Sequence, residues 1–115
     1  MGPDKGLVSG SMAMLVMKLL EERDLYGYQM IEELRLRSDD TFHLKAGTLY
    51  PLLHGLEEKG LVTAYEGQSD AGKPRRYYHL TRRGAAALRE KEESWNIYDR
   101  GVRRVLGGGA CCGEA

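Results

Sequence analysis

The sequence has no long apolar run, no net charge and few cysteines. No stretch of its 115 residues approaches the ~18 apolar residues that a membrane span needs. Seventeen basic residues balance seventeen acidic ones, which excludes a histone-like protein held on nucleic acid by bulk charge. Cys111 and Cys112 are adjacent in a glycine-rich tail, and two such cysteines are too few for a disulfide-stabilised fold. Because the first 18 residues also lack a secretory layout, we expect a cytoplasmic protein with reduced thiols and no membrane partner.

The charges are unevenly distributed, although they cancel over the whole chain. Residues 1–60 carry seven Lys or Arg against ten Asp or Glu, whereas residues 61–115 carry ten against seven. Residues 41–56 and residues 71–89 contain no acid at all. Chance clustering on a solvated face would produce this pattern, and so would a surface that meets a polyanion.

Hydrophobic periodicity predicts three helices in the first half of the chain. Ser9 or Ser11 would cap a first helix that runs to about residue 23. We predict a second helix over residues 28–37 and a third over residues 46–59, with Gly60 as its stop. In the third helix, four leucines follow the spacing of a buried face: Leu49, Leu52, Leu53 and Leu56.

The second half reads as a hairpin followed by a long helix. Residues 61–66 and 75–80 are rich in β-branched and aromatic side chains, and residues 42–44 suggest a very short extra strand. Thr81 would cap a helix that runs to about Leu106. Three helices plus a hairpin make a winged helix-turn-helix, so we predict a mainly α (α+β) fold. Its parts are a DNA-binding domain (residues 1–80), a dimerisation helix (81–106) and a flexible Gly/Cys tail (107–115).

Two segments look incompletely covered in a chain of this size. The first helix is apolar almost all the way round, which favours a second subunit against one of its faces. The long helix carries a broken heptad seam suited to packing on another helix. The sole Trp, Trp95, is either an anchor of a dimer interface or the wall of an effector pocket between subunits. The predicted dimer or effector residues are Met12, Leu15, Met17, Leu88, Trp95, Tyr98 and Val102.

The outward face of the third helix is the predicted nucleic-acid contact. In a helix-turn-helix, the start of this later helix reaches base edges in the major groove. Here that face is free of acids and carries Thr48, Tyr50 and His54. Lys45 and the free amides at the helix start favour phosphate. The basic hairpin tip suits a phosphate track or the adjacent minor groove.

The chain also resembles the PadR-type transcriptional regulators. The resemblance is carried by KAGTLYPLL at residues 45–53 with LEEKGLV at 56–62, by YGY at 26–28, and by GKPRRYYHLT at 72–81. It implies a homodimeric repressor on an inverted-repeat operator, often released by a small effector, and the single terminal helix resembles the shorter subfamily. Gly55 departs from the family's usual Arg, and Arg82-Arg83 stand where an acid is common. The predicted DNA-contacting residues are Tyr28, Lys45, Gly47, Thr48, Tyr50, His54, Lys73, Arg75 and Arg76.

Other functions find less support in the sequence. A winged-helix adaptor that binds protein rather than DNA is the main alternative, and the zero net charge favours it. His43, His54 and His79 lack a metal-ligand spacing, and no catalytic constellation or phosphate loop is present. We therefore expect no enzyme and no cofactor. A flat aromatic molecule is the expected effector, because an indole and thioethers suit such ligands.

Overall fold

A computed structural model describes residues 5–107 and has the predicted helix-rich α+β fold, a winged helix-turn-helix. The three strands form one antiparallel sheet in the order β1-β3-β2. Among the described residues, no helix has the length and apolar character to cross a bilayer. The elements in chain order are α1 (Lys5–Glu22), β1 (Leu25–Tyr26), α2 (Gly27–Arg37), α3 (Ala46–Glu58), β2 (Val62–Gln68), β3 (Pro74–Leu80) and α4 (Arg82–Val105).

Helix α1 lies at the centre of the core, and its own chain buries one face of it. It contacts α2, β3 and α4, which bury Val16 and Met17 completely. One face of α1 therefore packs inward as expected, and the contact of its other face with a second subunit stays a prediction. Met12, Met17 and Leu88, predicted at a subunit interface, are buried inside the single chain instead. Leu15 is only half-buried.

Two local predictions were wrong. Helix α1 already begins at Lys5, so Ser9 and Ser11 lie inside it, and the Ser11 hydroxyl donates to the Leu7 carbonyl one turn back. Residues 42–44 form no strand; the third strand is β1, whose two residues pair with Tyr77 and Tyr78 of β3. A strand this short is defined by its partner, which local sequence does not specify.

The predicted third helix and its stop are confirmed. Helix α3 spans Ala46–Glu58, and Gly60 follows with φ +76°, a left-handed conformation that glycine adopts without strain. Leu49, Leu53 and Leu56 are buried as expected, whereas Leu52 is only partly buried. One face of α3 is thus fixed in the core and the other is left outside.

Thr81 joins the wing, which is the hairpin of β2 and β3, to α4 and gives a direct test of how the two elements are connected. Its hydroxyl oxygen accepts from the Gly84 amide at 3.0 Å and lies 2.8 Å from the Gly60 carbonyl, to which it donates. Replacing Thr81 with alanine removes this cap and is expected to lower the free energy of unfolding by about 1–2 kcal/mol. Urea denaturation measures the change. Thr81→Ser retains the hydroxyl and should lose little; equal losses in both variants would contradict the capping role.

Candidate nucleic-acid interface

The outer ridge of α3 exposes the residues that the sequence places there. Gly47, Thr48, Tyr50 and His54 are exposed, while the leucines on the opposite side face the core. None of these four residues is an acid, and the first turn of α3 contains no acid. The ridge therefore presents hydrogen-bonding groups without repelling a polyanion.

The amino-terminal end of α3 is open towards solvent. Lys45 is the N-cap residue, its side chain caps nothing, and its carbonyl accepts from the amides of Thr48 and Leu49 at 2.9 Å each. The remaining first-turn amides have no acceptor within the helix, and the helix dipole adds partial positive charge at this end. Together with the Lys45 ammonium, this end favours a phosphate group.

Tyr50 is held across the start of α2. A Cβ built on Gly27 would lie 2.2 Å from the Tyr50 hydroxyl oxygen and 2.8 Å from the ring carbon that bears it. Only a glycine leaves room for the tyrosine in this position. Tyr28, which follows Gly27 in α2, is 64% exposed, and Tyr50 of α3 is 40% exposed.

The wing tip presents Lys73 on a hydrogen-bonded loop. The Ser69 amide donates to the Lys73 carbonyl at 2.8 Å, and the Lys73 amide donates to the Ser69 hydroxyl at 3.2 Å. Gly72, at φ +81°, closes the loop in a conformation that side chains rarely adopt. Lys73 is exposed there.

The two neighbouring arginines of the wing have different surroundings. Arg76 lies 3.6 Å from a Glu57 carboxylate oxygen of α3 and 3.4 Å from one of Glu66 on β2. These two carboxylates of the same chain compensate the charge of Arg76. We therefore leave Arg76 out of the proposed DNA contacts. Arg75 points to the other face of the sheet, where its guanidinium carbon lies 5.2 Å from the centre of the Tyr26 ring.

Asp24 organises the outer face of the sheet, which the sequence analysis did not identify. The Tyr65 hydroxyl donates to Asp24 at 2.6 Å, and the His79 ring nitrogen Nδ1 lies 2.8 Å from its other oxygen. Partial burial opposes ionisation of Asp24, but these hydrogen bonds outweigh it and hold its pKa below the usual value. The same bond raises the pKa of Tyr65. No sequence motif signals these contacts, because they join residues far apart in the chain.

A cleft of about 390 Å³ lies between α1 and α4 and contains Trp95. The Trp95 and Tyr98 rings stand 5.9 Å apart at its wall, and both are largely exposed in the single chain. Met14 lines the cleft where the sequence analysis expected Met12 and Met17, because the latter two point into the core.

The distal half of α4 carries an apolar stripe along one side. We define the α4 stripe as Trp95, Tyr98, Val102 and Val105, which recur at spacings of three and four residues. Val105 is 85% exposed, and a groove of about 500 Å³ follows the stripe to Leu106. Within residues 5–107, Trp95, Tyr98 and Val105 of the stripe stay exposed and Val102 is partly buried. Apolar surface arranged in this way is typical of a subunit interface.

The described part of the chain contains no cluster of metal-ligating side chains. Among those residues, no group of three His, Cys, Asp or Glu side chains is arranged to hold an ion. Cys111 and Cys112, and the predicted tail beyond Gly107, lie outside the described residues.

Comparison with known proteins gives consistent results. The model of the transcriptional regulator PadR-like family matches residues 16–90. A transcriptional regulator from Mycobacterium tuberculosis is 36% identical over 87 residues, which are 76% of this chain and 75% of that protein. A PadR family regulator from Eggerthella lenta superposes with a TM-score of 0.74 at 37% identity, covering 88% of this chain and 86% of its own. A regulator from Clostridium thermocellum superposes with a TM-score of 0.81 at 26% identity, covering 89% and 96%.

Proposed function

Since the chain belongs to the PadR-like family of transcriptional regulators, we propose that it is a homodimeric repressor that binds an inverted-repeat operator and is released by a flat aromatic effector. The observation that carries the DNA-binding part is the acid-free exposed ridge of α3 beside the wing cations. The α4 stripe supports the dimer, and the cleft at Trp95 supports the effector.

In the proposed complex, each subunit places one α3 ridge in a major groove, and the two grooves are about 34 Å apart along the duplex. Thr48 and Tyr50 contact bases or phosphates, and Gly47 allows the backbone to approach closely. Lys45 and Lys73 neutralise phosphates on either side of the ridge. Tyr28 and His54 extend the contact along the same surface.

The experiment starts from operator DNA, selected by the wild-type protein from a random pool. On that DNA, Lys73→Ala and Arg75→Ala should each weaken binding and reduce the slope of log affinity against log salt by about 1, because each loses one phosphate contact. Thr48→Ala should weaken binding about 5- to 150-fold and relax the sequence preference at one position if Thr48 reads a base. Fluorescence anisotropy over a salt series measures both quantities.

Arg103→Ala is the matched control. It removes one positive charge from an exposed site on α4, paired only with Asp99 in the described structure, and should change affinity less than about twofold. If the ridge and wing variants behave like this control, or if the selected pool shows only sequence-independent binding that salt abolishes, the protein is an adaptor rather than an operator-binding repressor.

The effector part of the proposal depends on the cleft between α1 and α4. A planar ligand stacked on Trp95 changes the separation of the two DNA-binding domains through α4. It shifts the protein between operator-bound and released forms only by its difference in affinity for the two forms. Met14 and Leu7 supply the apolar contacts on the α1 side.

Trp95 reports on this binding because it is the only Trp in the chain. Titration with planar aromatic cations and flavin-like compounds should quench or shift its fluorescence, and ligands that do so should release operator DNA. Met14→Ala should weaken the fluorescence response. Leu36→Ala, which also removes an apolar side chain but at an exposed site on α2, should not. An unchanged spectrum across a broad panel contradicts an effector site here.

A further inference from the structure

Arg75 has an unusual environment for a cation that is proposed to bind phosphate. Its side chain is half-buried on the outer face of the sheet, although it stands near the tip of an exposed hairpin. Its Nε atom is shielded from solvent and has no hydrogen-bond partner among the described residues. A buried donor without a partner costs free energy, so packing must hold this side chain in place.

The packing comes from Tyr26. The Arg75 guanidinium carbon lies 5.2 Å from the centre of the Tyr26 ring, within the range of a cation–π interaction. A guanidinium stacked on a ring still presents N–H groups at its edge, and this edge is the part that pairs with a phosphate. The contact thus restricts Arg75 without using all of its donors.

Tyr26 is itself fixed by a row of rings that crosses the sheet. It meets Tyr77 edge-on, with centroids 5.4 Å apart, and Tyr77 stacks on Tyr65 at 5.6 Å. Gly67 makes this close stacking possible, since a Cβ there would lie 2.8 Å from the Tyr77 ring. The row ends at the hydrogen bond from Tyr65 to Asp24.

The position of Tyr26 in the chain links the wing to the helix-turn-helix. Tyr26 is the last residue of β1, and the next residue, Gly27, begins α2 and touches Tyr50 of α3. A contact between Arg75 and Tyr26 therefore sets the wing cation at a fixed place relative to α3.

We propose that Tyr26 is a positioning residue for Arg75, which it holds in place for a DNA phosphate before the DNA arrives. This inference rests on the proposed DNA contact of Arg75. The benefit is entropic, because a long side chain that is already ordered loses less freedom on binding. Tyr26 itself touches no DNA in this arrangement.

A double-mutant cycle on operator DNA tests the proposal. Tyr26→Leu removes the ring face and should weaken binding roughly three- to fivefold, the range of an exposed cation–π contact. Tyr26→Phe keeps the ring and should stay within about twofold of wild type. In the Arg75→Ala background, Tyr26→Leu should add no further loss, because the residue it positions is gone. Tyr26→Leu alone should leave the salt slope near the wild-type value, whereas Arg75→Ala reduces it by about 1.

Two results of this cycle overturn the inference, and they separate it from the proposed function. If Arg75→Ala weakens binding but Tyr26→Leu costs as much in the Arg75→Ala background as in the wild-type background, the wing contact stands and the positioning role is wrong. If Arg75→Ala has no effect, both fail. Should Tyr26→Leu unfold, NMR of the wild type decides: the Arg75 side-chain protons must show upfield ring-current shifts, and ordinary shifts would disprove the contact.

Discussion

Replacing Gly84 with alanine is expected to lower the free energy of unfolding by about 3 kcal/mol, because the added methyl group has no room in the packed core. Gly84 is buried in the first turn of α4, and a Cβ there would lie 2.0 Å from the Leu61 carbonyl oxygen and 2.6 Å from a Leu80 methyl carbon. The oxygen belongs to the backbone and cannot rotate away. Moving it also disturbs its 3.0 Å hydrogen bond from the Thr81 amide.

Gly55→Ala is the matched control for this variant. Gly55 lies inside α3, and a Cβ there meets nothing within 4 Å. The same methyl group should therefore stabilise the protein by about 0.5–1 kcal/mol, because alanine restricts the unfolded chain and favours helix. Urea unfolding followed by circular dichroism gives both values. If the Gly84→Ala protein is as stable as wild type, Gly84 of α4 does not pack closely against Leu61 and Leu80.

The second large effect is expected at the α4 stripe. Tyr98→Asp should convert the protein from a mass of two chains to one of 12.9 kDa in sedimentation equilibrium. The substitution places a carboxylate in the middle of the proposed subunit interface, where burying a charge is costly. Affinity for an inverted-repeat site should fall roughly 10²- to 10⁴-fold, because the second half-site is then no longer bound by a linked domain.

Asn96→Asp tests whether this result comes from the stripe or from added charge. Asn96 is exposed and, at 100° per residue, lies on the opposite side of α4 from Tyr98. It should leave both the mass and the DNA affinity close to wild type. Tyr98 is itself 57% exposed in the single chain, so its replacement should leave each subunit folded. If Tyr98→Asp stays dimeric, the subunits associate through another surface.

Much of the fold could be predicted because its signals are local. The leucines of α3 place that helix within one residue of its observed ends, and Gly60 and Thr81 mark the junctions that follow. The β-branched and aromatic residues of the two strands predict the hairpin. The observed β2 ends at Gln68, slightly beyond the predicted end at residue 66. The exposed ridge of α3 follows from the same leucine pattern, since the residues between the leucines must face outward.

The remaining features depend on tertiary contacts that no local pattern encodes. Apolar residues such as Met12, Met17 and Leu88 were predicted as interface residues because their spacing shows that they must be covered. It does not show that α1 and α4 cover one another. Arg76 resembles a DNA contact in a basic run, yet Glu57 and Glu66 are brought to it by the fold. The domain boundary at residue 80 and the DNA contacts stay predictions.

The contact between Gly27 and Tyr50 constrains how this protein can evolve. A side chain at position 27 collides with the tyrosine hydroxyl as long as position 50 carries a ring of that length. An ancestor with a shorter residue at position 50 could accept alanine at position 27, but the reverse order of substitutions would pass through a displaced Tyr50. The two positions should therefore covary among descendants, and a graft of α3 onto a paralogue with a larger residue at position 27 should displace the Tyr50 ring.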